Sequence, residues 1–409
     1  MTTQMLNKSI HPEIEKKIKG LMSTCKVSPK TGFLTEDPLR YLPTTGPKEQ
    51  TEYFKQIDEI GHSLEKLIKE KKIEESVKKL PVPKFSFNDL EWKVVNRLML
   101  VIAMTTHAYF REKYPFKNVM ALMQDETNKT LPAQLAIPLW ECSKITGIAP
   151  SMSYGLYSLW NYYKKDPAKS INLENIDMIH SFSGTMDEKW FVWIHQVIEA
   201  TFASAIPELG KAYFLTASPG KDEEQIINES IVCLDKAADV TREIANILER
   251  MRENCNYKTY FDSVRLFYSI PRNIIFEGVD ELGGKPQELY GETGGQTPYM
   301  HFQLTTLGIT HNEDPFFNNM QKHMLKNFRD FLGNFTDSKV RDFVMANKKC
   351  KALVRRYNML VQNILDWRME HIGLVDDYIK EFGEVHGTGK PPLDWLKSLY
   401  LKTKTYLVE

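Results

Sequence analysis

Apolar residues along residues 228–254 recur at three- or four-residue steps, through Ile231, Leu234, Ala238, Ile244, Ile247, Leu248 and Met251. That period gathers them on one side of a long helix. A second long segment, residues 356–382, repeats the pattern with Tyr357, Leu360, Ile364, His371, Val375 and Tyr378. Strand-like alternation is nearly absent, and there is no repeat of solenoid length. Long amphipathic helices gain most of their stability by burying the apolar stripe against neighbours. The chain is therefore expected to be all-α, an irregular, non-repeating packing of helices.

The first third carries weaker signals. Residues 11–45, rich in Pro, Gly, Lys and Thr, read as an irregular arm laid over a domain. Residues 52–79 read as one surface helix, with Phe54, Ile57, Ile60, Leu64 and Ile68 on its inner side, ended by Pro81-Val82-Pro83. Residues 90–109 read as a mostly buried helix. The polar stretch 124–130 then marks the expected boundary between a small N-terminal helical domain, residues 1–127, and a large helical domain, residues 128–409.

Basic and acidic residues balance at 53 each, so no overall field favours nucleic acid or an anionic membrane. The expected partner is a small molecule. The five cysteines are scattered without metal or disulfide spacing, and residues 1–5 lack the basic and apolar run of a secretory signal, which together suggest a cytoplasmic protein. The apolar run at residues 98–104 is flanked by Arg97, Thr105, Thr106 and His107 and falls short of the roughly 18–20 residues of a membrane span.

Four places could carry chemistry. His371 lies on an apolar stripe with Arg368 one turn before it. A histidine there is either a hydrogen-bonded core residue or a metal or haem ligand. His195 shares a helix face with Phe191, Ile198 and Phe202 in an aromatic stretch suited to enclosing a flat ligand, or simply to filling a core. On a helix over residues 260–265, Phe261 and Arg265 would face the same way, beside Tyr260; a guanidinium next to aromatic rings can hold an aromatic carboxylate or serve a structural ion pair. Two glycine-rich loops, residues 291–297 and 387–390, either approach a ligand or cap helices. Glu384 and Pro391 occupy positions that a phosphate loop would need as Gly and Ser or Thr. No G-x-S-x-G, H-E-x-x-H or clear carboxylate pair supports hydrolysis.

In order along the chain, Gly32-Phe33-Leu34, Leu135-Ala136-Ile137-Pro138, Trp160-Asn161, Lys164-Lys165-Asp166-Pro167, Ile198-Glu199-Ala200, residues 260–265, Gly294-Gly295-Gln296, Arg368-x-x-His371 and Gly387-Thr388-Gly389 resemble the indoleamine 2,3-dioxygenase family. The resemblance implies a haem-binding catalytic domain covered by the smaller N-terminal one. It also implies haem b, ferrous when active, with His371 as its axial ligand, Arg368 near a propionate, and Thr293, Gly294 and Gly295 close to the haem. Tyr154, Tyr157, Phe191, Tyr260 and Phe261 would line the indole pocket, Arg265 would bind the substrate carboxylate, and Thr388 would belong to a closing loop. The implied reaction is cleavage of the indole C2–C3 bond of L-tryptophan by O2 to N-formylkynurenine, in the kynurenine pathway. A modified tryptophan or other indole as substrate, or a haem-binding sensor, are the alternatives.

Two positions depart from the family's pattern. His195 stands where the vertebrate indoleamine enzymes carry serine and tryptophan dioxygenases carry histidine, which implies a catalytic hydrogen bond to the indole N–H. Lys390-Pro391 replaces the second glycine of the G-T-G-G loop, which bears on its mobility.

Overall fold

Helices form where the sequence carries the three- and four-residue period, and the computed structural model describes them over residues 11–217, 222–310, 319–337, 339–378 and 392–409. The first seven are α1 (Pro12–Thr24), α2 (Lys48–His62), α3 (Leu64–Glu70), α4 (Ile73–Lys79), α5 (Trp92–Lys113), α6 (Val119–Gln124) and α7 (Ala133–Thr146). Then come α8 (Met186–Phe202), α9 (Ala205–Thr216), α10 (Glu223–Glu249), α11 (Met251–Asn254), α12 (Tyr257–Ser263) and α13 (Pro298–Thr306). The chain closes with α14 (Lys326–Leu332), α15 (Lys339–Ala346), α16 (Lys351–Tyr378) and α17 (Pro392–Lys404). The fold is all-α. None of the described helices is long and apolar enough to cross a membrane.

The two long periodic segments pair with each other, as α10 and α16, more extensively than any other two elements. Ala237 and Ala238 on α10 keep its buried face thin, and the Asn363 side chain of α16 donates to the Ala238 carbonyl at 2.7 Å. Leu234 and Ile364 are fully buried in the same core. Leu234→Ala should therefore cost about 2–5 kcal/mol of stability, read as a lower urea midpoint at unchanged slope.

The stretch 52–79 is three helices instead of one. Lys71 adopts a left-handed conformation, φ 54°, that closes α3. The next helix starts where the backbone N–H groups of Ile73 and Glu74 donate to the Glu112 carboxylate of α5, at 3.0 and 2.9 Å. A carboxylate nearly forty residues away in sequence caps α4, so local pattern alone carried no sign of the break. Short strands also appear. Lys129–Leu131 pairs parallel with Asn273–Phe276, which pairs antiparallel with Gln287–Glu288, and Tyr163–Lys164 pairs with Ile176–Asp177. Pieces of two to four residues are too short to show alternation.

Behind the later site, His107 of α5 is locked as a neutral imidazole. Its Nδ1–H donates to the Phe267 carbonyl at 2.7 Å, and its Nε2 accepts from the Met152 N–H at 3.2 Å. Burial pushes its pKa down from 6.5 to about 4. The unfolded chain thus binds this proton first as pH falls, and folded-state stability drops between pH 6.5 and about 4, by up to about 3 kcal/mol from this group. Melting curves over that window should show the decline, and His107→Gln should make it shallower.

Candidate active site

A partly open cavity of about 150 Å³ lies between α8, the α10–α12 region, the loop at residues 292–295, α16 and α17. Among the described residues, those that line it all come from residue 191 onward.

The position of α8 is set by its first turn. Thr185 caps the helix by accepting the Glu188 N–H, while the Glu188 carboxylate reaches back to the N–H groups of Phe182 and Ser183. The Tyr157 hydroxyl donates to the same carboxylate at 2.7 Å. From this anchored helix Phe191 and His195 project to the cavity with ring centroids 4.6 Å apart. His195 Nδ1 lies 2.8 Å from the Phe191 carbonyl, which can only accept, so Nδ1 carries the proton and Nε2 keeps a lone pair. Burial lowers the His195 pKa, which keeps the ring neutral.

On α16, His371 lines the cavity with its ring 5.1 Å from that of Trp367. Neither His371 ring nitrogen has a hydrogen-bond partner among the described residues. Burial, then the nearby His195 and Arg368, push its pKa down to about 4. At neutral pH the imidazole is uncharged, and a nitrogen lone pair at the cavity wall is available to a metal.

The glycine loop is tied down from three sides. The Gln296 side chain accepts the Tyr154 N–H at 2.8 Å and donates to the Gly291 carbonyl at 2.9 Å, and His301 Nε2–H donates to the Gly295 carbonyl at 2.9 Å. Gly291 is required by close approach, since a Cβ there would stand 1.7 Å from the Tyr268 carbonyl oxygen. At Gly294 a Cβ would meet nothing within 4 Å, so the protein itself leaves the space beside that glycine open for a ligand. A neutral histidine without a partner among the described residues and an open glycine position on one aromatic-walled cavity fit a large flat iron-bearing group.

Arg265 and Glu292 also line the cavity. The helix expected through residues 260–265 ends at Ser263, and Arg265–Tyr268 forms a separate tight turn. Tyr260 stacks 4.6 Å from Phe191 and lines the cavity with Arg265 and Tyr268. Phe261 is not a lining residue, because the break after Ser263 separates its direction from that of Arg265. Burial pushes the Glu292 carboxyl up to about 7, against the opposing pull of Arg265.

Of the residues singled out from sequence, Phe191, His195, Tyr260, Arg265, Thr293, Gly294, Gly295 and His371 meet in this cavity. Tyr154 and Tyr157 are buried behind α8, Tyr154 with its ring 5.8 Å from that of His195. Arg368 is buried beside Tyr299 with its pKa pushed down to about 10 by burial, and none of these three lines the cavity. Thr388, the loop at 387–390 and Pro391 lie outside the described residues. The lining residues Glu292, Tyr268, Leu374, Trp395 and Leu396 were not singled out from sequence. Glu292, the one acidic residue beside the 293–295 glycine loop, carried the only local signal.

A sequence model described as indoleamine 2,3-dioxygenase matches residues 22–383, most of the chain. The chain is 28% identical over 375 residues to indoleamine 2,3-dioxygenase 1 of Rattus norvegicus, covering 88% of this chain and 85% of that one. It is 27% identical over 367 residues to a 6-hydroxytryptophan 2,3-dioxygenase of Fusarium equiseti, covering 86% and 83%. To human indoleamine 2,3-dioxygenase 2 it is 23% identical over 391 residues, covering 93% and 89%.

Proposed function

The chain belongs to the indoleamine 2,3-dioxygenase family of haem-dependent dioxygenases, and on that premise we propose that it opens the indole ring of L-tryptophan with O2 to give N-formylkynurenine. The observation that carries this reading is the convergence on one cavity of His371, neutral and without a hydrogen-bond partner among the described residues, with Phe191, His195, Tyr260 and Arg265. His371 would hold the iron of haem b, with the loop at residues 293–295 beside the macrocycle and Arg368 toward a propionate. Ferrous haem supplies the activation of O2.

The side chains do the rest by placement. Phe191 and Tyr260, packed against each other, form one aromatic wall on which the indole lies and from which water is excluded. His195 Nε2, the free acceptor of a neutral ring, takes the indole N–H, and the Arg265 guanidinium takes the carboxylate, so the ring is held in one orientation. No strong base is required, in keeping with the pKa depression of both cavity histidines. The small domain, residues 1–127, would back this site through α5, whose His107 holds the Phe267 carbonyl beside Tyr268.

A ring-hydroxylated tryptophan is the second reading, favoured by the name of the Fusarium relative and by Tyr268 among the lining residues. Haem-loaded protein given L-tryptophan and 6-hydroxytryptophan in turn, with products followed by mass, separates the two. Ring-opened product from L-tryptophan is expected; conversion of the hydroxylated amino acid alone would transfer the assignment to it.

A further inference from the structure

Arg265 and Glu292 line the same cavity at 7% and 9% exposure. They feel each other electrostatically, since Arg265 pulls the Glu292 carboxyl pKa down while burial raises it. Yet their charged atoms form no ion pair within 4.0 Å, and neither side chain hydrogen bonds to a described residue. Two opposite charges taken out of water without pairing are costly, and the cost is recovered when a bound group supplies the missing partners. The other titratable groups facing Glu292 are the hydroxyls of Tyr157, Tyr260 and Tyr268, all held neutral by burial. The cavity therefore presents one cation and one carboxyl that feel each other without forming an ion pair.

An amino acid carries the complementary pair, a carboxylate and an ammonium separated by a single carbon. We propose that Glu292 accepts the ammonium group of the substrate while Arg265 holds its carboxylate, making Glu292 a positioning residue that selects the amino-acid form of the indole. The inference rests on the proposed function and deepens it. Substrates lacking the ammonium gain nothing from Glu292, and those lacking the carboxylate gain nothing from Arg265. Because the acceptor is the ionised form, affinity for the amino acid rises with pH through about 7, the value for Glu292 in the free site.

Calorimetric titration of the haem-loaded full chain with L-tryptophan, tryptamine and indole-3-propionate tests it. Glu292→Gln should weaken L-tryptophan and tryptamine by roughly ten- to a hundredfold, leave indole-3-propionate unchanged or tighter, and abolish the rise in L-tryptophan affinity with pH. Should the Gln variant lose its fold, Glu292→Asp, which keeps the charge but withdraws it by one methylene, should still weaken L-tryptophan and spare indole-3-propionate. Equal weakening of all three ligands, or none, would overturn the ammonium assignment and leave the proposed function standing. A wild-type protein that binds none of the three would overturn both.

Discussion

His371→Ala should strip haem from the purified protein, lowering haem affinity by at least about a hundredfold, while the helical content stays near that of the wild type. The expectation follows from what the imidazole lacks. Neither nitrogen of His371 has a hydrogen-bond partner among the described residues, and the residue lines the cavity. Its depressed pKa keeps a lone pair free at neutral pH. His371 is only partly buried at the cavity wall, so its removal leaves the α10–α16 core untouched. Imidazole added to the variant should restore part of the haem spectrum. His195→Ala, by contrast, should retain haem, because His195 Nδ1 is already committed to the Phe191 carbonyl. A haem spectrum in His371→Ala identical to that of the wild type would remove His371 as the ligand.

Arg265→Leu should raise the Kd for L-tryptophan tenfold or more, about 1.5–3 kcal/mol, with haem content close to wild type. The guanidinium lines the cavity with Tyr260 and Glu292 and interacts electrostatically with both, and none of these lies on α16 with His371. Leucine keeps much of the volume, so the loss reports the charge rather than a collapsed wall. Titration of the haem-loaded variant checks this. Equal tryptophan affinity in the two proteins would take Arg265 out of the site.

The parts legible in the sequence were those decided by local periodicity. The stripe of α10, continued by Met251 of α11, and that of α16 place Leu248, Met251, His371, Val375 and Tyr378, and all five line the cavity. Features set by tertiary contact were not legible. The break at Lys71 depends on the distant Glu112, and the end of α12 at Ser263 turns Arg265 into the cavity without Phe261. Glu292 was overlooked because its importance lies in burial, which a glycine-rich loop does not advertise, and its charge matters only once Arg265 is beside it. Trp395 and Leu396 reach the cavity from α17, far along the chain from the rest of the wall. The family resemblance implies one site for His371, Arg265 and the glycine loop, and residues of all three line the cavity.

The most direct test of the account is the isotopic composition of the product formed from L-tryptophan by the haem-loaded, reduced protein under labelled O2. A ring-opened product carrying both atoms of one O2 molecule is predicted. A product with a single labelled oxygen and an intact indole ring, or no oxygenated product at all, would contradict it.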